Sequence, residues 1–247
     1  MICRSGPTLY LVPSNLAAGD PRLVLPASAI AVATTLDYFV AERARSARAL
    51  LKAIGHPTPL REIVIEELNE HTPADRIPDL LAPIRAGTSC GLLAEAGCPA
   101  VADPGAPLVL LAHQTGVTVK PLVGPSAIIL ALMGSGLQGQ RFAFHGYLPA
   151  KQGDREQRLR VLESESRRRD ETQIFIETPY RNLALFESLM TCCGPATLLC
   201  VASDLTGPRE RVTTCSVADW RRAAPTAIDR DPAVFLLYAR GSPQRSA

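Results

Sequence analysis

The chain has 247 residues, 47% of them hydrophobic and 20% charged, and a net charge of +2. That length suits two domains of roughly 100–150 residues, each able to bury its own core. A net charge this small does not by itself imply nucleic-acid affinity: 10 basic residues face 11 acidic ones in 1–136, and 16 face 13 in 137–247, a mild asymmetry.

In chain order, Thr8–Val12 is a short apolar run ended by Pro13, the pattern of a buried strand. A helix is expected over Ala27–Leu36 and a strand over Tyr38–Ala41. Arg43–Ile54 has helical periodicity, with Ala44, Ala47, Leu51 and Ile54 on one face and Gly55 closing it. Ile63–Glu66 reads as the next strand, Ala74–Ala86 as a helix and Ser89–Ala94 as a strand. Ala106–Gln114 is helical, Val117–Leu122 a strand and Ser126–Met133 a helix. Strands spaced by helices predict an α/β fold with a mostly parallel sheet over residues 1–136. The Gly-rich stretch 134–139 marks the expected domain boundary.

Beyond it, strands are expected at Phe142–His145, Thr172–Glu177, Thr197–Ala202, Arg211–Cys215 and Ala233–Ala239. A charged helix over Asp154–Ser166 and another over Asn182–Thr191 join them. Closely spaced late strands predict a mixed sheet for 137–247. The seven cysteines (3, 90, 98, 192, 193, 200 and 215) contain no CxxC pair, so reduced thiols are expected. No signal peptide and no apolar run of about 18 residues is visible, which predicts a cytoplasmic protein without a membrane span.

In open α/β sheets ligands gather at the carboxyl ends of strands. The residues just past the strands here are Pro13-Ser14-Asn15, Glu42-Arg43, Glu66 through Thr72, Glu95 through Pro99, and Val123 through Ser126. Small residues and turn formers at one edge allow backbone groups to approach a cofactor closely. Several residues carry two readings each. Asp103-Pro104 is either a helix cap or part of a ligand-holding loop. Ser126 is a cap or a ligand contact. Thr72 with Pro73 could start a helix, which leaves His71 in a loop. Arg45, Arg48 and Lys52 form a solvated face or an anion contact. Glu177 and Arg181 form an internal ion pair or belong to a site. Nucleotide-loop, zinc-protease and nucleophile-elbow motifs are absent, and His and Cys do not cluster at metal-ligand spacing, so no metal is expected. The residues by themselves stop at a two-domain α/β protein with a small-molecule cleft.

A further set of segments is specific in its order. LYLVPSNL (9–16), VAERARSARALLK (40–52), LNEHT (68–72), LLAEAGCPAVADPGAPLV (92–109), PLVGPSAIILALMGSGLQGQRFAFHGYLP (121–149), TQIFIETPYRN (172–182), LCVASDLT (199–206) and PAVFLLY (232–238) span nearly the whole chain. Together they resemble the short branch of the ribosomal RNA cytidine 2′-O-methyltransferases within the tetrapyrrole methylase superfamily. The resemblance implies two α/β domains with S-adenosylmethionine in the cleft between them, S-adenosylhomocysteine as product, a homodimer, and ribosomal RNA or the small ribosomal subunit as substrate. It implies cofactor contacts at Pro13, Glu95, Ala96, Gly97, Cys98, Pro99, Ser126, Ala127, Glu177, Ala202, Pro232 and Ala233. Glu42, Arg48, His71 and Arg181 are the expected catalytic residues, acting on the hydroxyl or its surroundings.

Three departures from the family pattern stand out. Ser14-Asn15-Leu16 replaces a Thr-Pro-Ile-Gly-Asn type loop, Glu95 replaces Asp, and Glu42-Arg43-Ala44-Arg45 replaces a Glu-Asp-Thr-Arg type segment. The family's small third domain is not expected in this chain. Methylation of a tetrapyrrole or other small metabolite, and a catalytically silent cofactor- or RNA-binding module, are the alternatives.

Overall fold

A computed structural model describes residues 6–223, 228 and 231–240. The chain forms two compact units, Met1–Ser126 and Ala127–Ala247.

The first unit is built on five strands: β1 (Thr8–Val12), β2 (Tyr38–Ala41), β3 (Val64–Glu67), β4 (Cys90–Leu93) and β5 (Thr118–Pro121). They lie in the order β3-β2-β4-β1-β5, and every pairing is parallel. Four helices connect them: α1 (Ala27–Ala33), α2 (Ala44–Ile54), α3 (Ile77–Arg85) and α4 (Ala106–Gln114). The period-two alternation of strands sends neighbouring side chains to opposite faces. Phe39 and Ala41 pack with Ala33 of α1 and Ala47, Leu50, Leu51 and Ile54 of α2. Tyr38 and Val40 pack with Leu80, Leu81 and Ile84 of α3 and Leu108 and Ala112 of α4. Helices on both faces explain why the strands read as continuous apolar runs.

α1 ends at Ala33, three residues before the sequence-predicted end, because the hydroxyls of Thr34 and Thr35 turn back to the carbonyls of Ile30 and Val32. α2 closes as expected, with Gly55 left-handed at φ 79°. The helix expected over Ala74–Ala86 is a short 3-10 turn, Ala74–Arg76, followed by α3.

The second unit contains α5 (Ala127–Ser135), β6 (Phe142–Tyr147), α6 (Gln152–Arg169), β7 (Thr172–Glu177), α7 (Asn182–Cys192), β8 (Leu198–Ser203), β9 (Arg211–Ser216), α8 (Val217–Arg222) and β10 (Ala233–Tyr238). Its sheet runs β6-β7-β10-β8-β9, with β6 parallel to β7 and the other neighbours antiparallel. One face carries Phe175, Leu199, Val201, Phe235 and Leu237 against Leu159 and Leu162 of α6, Leu185, Phe186 and Leu189 of α7, and Val217 and Trp220 of α8. α5 packs on β8, β9 and β10, with Thr214 donating to the Ser135 carbonyl at 2.8 Å. It therefore groups with this unit, although the sequence reading drew the boundary after it, in the Gly-rich stretch.

The six described cysteines are free thiols, and Cys3 lies outside the described residues. Among the described residues no helix is long and apolar enough to cross a membrane.

Candidate active site

In the first sheet the connection from β1 runs toward β2, past β4, and that from β4 runs toward β5, past β1. Adjacent strands whose connections leave in opposite directions mark the crevice where open α/β sheets bind ligands. The two loops that leave this point are joined. Ser14 N donates to the Gly97 carbonyl at 2.9 Å and Gly97 N to the Ser14 carbonyl at 3.1 Å, while Ser14 Oγ donates to the Ala94 carbonyl at 2.8 Å. Gly97 is left-handed at φ 72°, and an added Cβ would sit 3.1 Å from Leu16 and 3.3 Å from the Pro125 carbonyl. The Cys98 thiol faces that same carbonyl at 3.4 Å. Gly97 and Cys98 thus meet Pro125, and Gly124 packs on Pro13, so that the loops after β1, β4 and β5 are close-packed; Pro99 and Ser126 follow along the chain. Ala96 is exposed.

The loop after β4 continues through Ala100 and Ala102, both left-handed at φ 64° and 53°. For residues with a Cβ such a backbone costs energy and persists only where surroundings fix it. The fixing group is Asp103, whose Oδ1 accepts from Ala100 N at 3.0 Å and Gly105 N at 2.8 Å. Asp103 does not cap α4; Gly105 occupies that position, two residues later. Thr72 likewise caps no helix. Its hydroxyl accepts from Asn69 N, and Pro73 precedes the 3-10 turn.

Glu42 follows β2 at the same edge, half-buried beside acidic neighbours. Burial first, then Glu95, Asp103 and Glu70, push its carboxyl above the ordinary carboxylate range, against the pull of Arg43. Glu95 reaches α2, where its Oε2 accepts from Ser46 Oγ at 2.9 Å. Glu67 accepts from Ala44 N at 2.8 Å, at the start of α2, where a carboxylate is favoured by the helix dipole. Arg48 lies on the exposed side of α2. His71 is exposed in a turn stapled by Asn69, with Glu70 at 3.6 Å. The structure thus brings Glu42 and Glu95 together and leaves Arg48 and His71 outward on the same unit. A separate cavity is lined by Asp37, Val64 and Thr88 near the amino ends of the strands, by Glu66 of β3, and by Arg76 and Asp79 beyond it.

In the second unit, register gathers the candidates. Ala233 pairs with Glu177 on one side and Ser203 on the other, and Ala202 pairs with Val234. Pro232 immediately precedes that row. Glu177 is buried; its Oε1 accepts from Thr178 N at 2.8 Å, and Arg181 Nη2 stands 2.7 Å from Oε2. Arg181 thus supplies charge pairing, yet Oε2 receives no hydrogen bond among the described residues. The ion-pair alternative for these two is realised. Arg181 also donates to the Leu148 carbonyl at 3.2 Å. Ala127 begins α5.

Two polar residues escaped the sequence reading. Ser46 was hidden among the charged residues of α2, and nothing in its spacing points to Glu95. Asn182 was read only as a helix start. Among the described residues no group of three or more His, Cys, Asp or Glu side chains is placed to hold a metal.

No family model matches the chain. Among curated proteins it is 35% identical over 223 residues to the ribosomal RNA small subunit methyltransferase I of Synechocystis sp., covering 89% of this chain and 72% of that one. It is 33% identical over 243 residues to the protein of the same name from Xylella fastidiosa, covering 97% and 84%. Among solved structures, the methyltransferase CobJ superposes with a TM-score of 0.62 at 18% identity, over 98% of both chains. Uroporphyrin-III-C-methyltransferase from Thermus thermophilus superposes at 0.53 with 20% identity, over 94% of both. At such identities these two likenesses show the fold.

Proposed function

Since the chain belongs to the ribosomal RNA small subunit methyltransferase I family, we propose that it moves a methyl group from S-adenosylmethionine to a cytidine ribose 2′-hydroxyl of ribosomal RNA and releases S-adenosylhomocysteine. The observation that carries this reading is the Ser14–Gly97 junction at the switch point of the first sheet. It presents a side-chain-poor surface on which a nucleoside can lie against backbone. The donor set also fits. The cofactor is rich in N–H and O–H donors and carries a positive sulfonium, and the candidate positions of the first unit offer the Glu95 carboxylate.

The cofactor supplies an already activated methyl group, so the chain's own work is alignment and proton removal. Glu42 is the group we assign to the hydroxyl proton, because its raised carboxyl is a stronger base than an ordinary one. Arg48, exposed on α2, and Arg181, partly exposed, are assigned to RNA phosphates. His71 is assigned to the same RNA face. Pro13, Ala96, Gly97, Cys98, Pro99, Ser126 and Ala127 shape the cofactor surface, and Glu177, Ala202, Pro232 and Ala233 are the second unit's contacts. The reading includes a homodimer, as the family resemblance implies, placed in the cytoplasm and working without a metal.

The test is labelled methyl transfer into fractionated extract of a strain lacking this protein. Label in small-subunit ribosomal RNA is expected. Label confined to small-molecule fractions would move the activity to a metabolite such as a tetrapyrrole. No label anywhere would leave a silent binding module.

A further inference from the structure

The segment that enters β10 is fastened from two sides, and Asn182 is at the centre of one. This residue opens α7, is fully buried, and spends both amide hydrogens on main-chain oxygens: Nδ2 donates to the Ile228 carbonyl at 2.7 Å and to the Asp231 carbonyl at 2.9 Å. Neither carbonyl lies in a strand. On the other side Asp231, itself buried, accepts from Arg209 Nε at 3.2 Å and from Arg209 Nη2. Arg209 N in turn donates to Asp204 Oδ2 at 2.8 Å, and Asp204 N donates to the Pro232 carbonyl at 3.1 Å. Asp204 is held left-handed at φ 48°, and an added Cβ on Gly207 would lie 2.3 Å from its carboxylate. The carbonyls of 228, 231 and 232 are thus all fixed just before Ala233 joins its row with Glu177 and Ser203.

The Asn182 amide is not in a state that packing alone would choose. Its Oδ1 is buried and receives no hydrogen bond among the described residues. A buried unpaired acceptor is unfavourable, and rotating the amide to satisfy it would release both carbonyls. The orientation is therefore fixed by the two carbonyls it holds.

We propose that Asn182 is a positioning residue for the methyl donor: it sets the path of Pro232 and Ala233, so that these two positions meet the cofactor in one geometry. This rests on the reading of Pro232 and Ala233 as cofactor contacts. Asp231, held by Arg209, acts with it from the opposite side. The role predicts a specific split. Loosening the clamp weakens donor binding and leaves RNA binding and the chemical step alone, whereas a loss of general stability would lower the active fraction without changing either constant.

The experiment is calorimetric titration of the full chain with S-adenosylmethionine, with kcat and both KM values from methyl transfer to RNA. The variants are Asn182→Ala, Asn182→Asp, Asp231→Ala and Ala233→Val. Asn182→Ala and Asn182→Asp are expected to raise the donor Kd about tenfold, the equivalent of one well-made hydrogen bond. The KM for RNA and kcat at saturating donor stay within about twofold. Asp231→Ala, whose partner Arg209 is largely exposed, keeps the fold and is expected to raise the donor Kd about threefold; it carries the test if the Asn182 variants do not fold. Ala233→Val tests the underlying reading. If it leaves the donor Kd unchanged, that reading fails and the proposal with it. If it weakens the donor while the foldable clamp variants do not, the positioning role alone is overturned. A fall in kcat at unchanged donor Kd overturns it as well.

Discussion

Gly124 and Pro13 are packed so closely that a methyl group on Gly124 would lie 2.1 Å from Cβ of the proline. No real carbon pair sits at that distance, and the obstacle is a rigid ring on a buried loop. Gly124→Ala should therefore push the two loops apart, at a cost of about 1–3 kcal/mol in stability. It should also weaken donor binding. Thermal denaturation with and without S-adenosylmethionine checks both; an unchanged midpoint would mean the loops are free to separate.

The Glu95 carboxylate is held by Ser46 across from α2. Ser46→Ala releases it, and the expected result is a rise in the donor KM of about three- to tenfold with kcat unchanged, the scale of a hydrogen bond to a charged group. Glu95→Gln keeps the Ser46 contact and should lose the charge contribution alone. Equal KM values for all three proteins would remove Glu95 from the cofactor surface.

For Glu42 the pH dependence has a definite sign. A proton acceptor works only when ionised, so methyl transfer should rise with pH through its elevated value, and the acidic limb should vanish in Glu42→Gln along with most of the activity. The folded chain keeps this proton to higher pH than the unfolded chain does, so stability declines as pH rises across that window. Glu42→Gln should consequently be more stable than the parent at neutral pH and indistinguishable at pH values where Glu42 is protonated in both states. Denaturant titrations at the two pH values decide this.

Arg181→Ala leaves the Glu177 carboxylate, 1% exposed, without its cation, while Glu177→Gln leaves an arginine that is 27% exposed and can hydrate. Removing one partner of a buried pair costs about 3–5 kcal/mol, so Arg181→Ala should approach the lower end of that range and Glu177→Gln should cost far less. Reversed order in urea unfolding would show that the carboxylate is not the buried partner.

The alternation of apolar runs with turn formers made most elements legible. Thr8–Val12, Tyr38–Ala41 and Thr172–Glu177 are strands within the same bounds as read from sequence. α8 was not foreseen, although a signal was present. Ser216 accepts from Asp219 N and its hydroxyl donates to the Asp219 carboxylate three residues on, an N-cap at the start of a six-residue helix too short to show periodicity. The strand order was not legible either, because no local pattern states that β4 lies between β1 and β2. At the site, the turn glycines and prolines were visible because backbone geometry dictates their identity. The Ser46–Glu95 and Asn182 contacts were not, since each joins residues 46–49 positions apart through ordinary polar side chains. Sequence does not separate the two readings of Asp103 for a related reason: a loop brace and a helix cap use the same carboxylate and the same following proline.

The central place of β1 in the first sheet also bears on how the chain is made. It leaves the ribosome before the other four strands of its sheet, yet one of its edges waits for Cys90–Leu93 and the other for Thr118–Pro121. Until then an apolar ribbon has both hydrogen-bonding sides open, and its closure depends on contacts of long sequence separation, which form slowly. Nascent chains stalled before Pro121 should accordingly be the aggregation-prone intermediates, and those carrying all of residues 1–126 should already resist proteolysis as a folded unit.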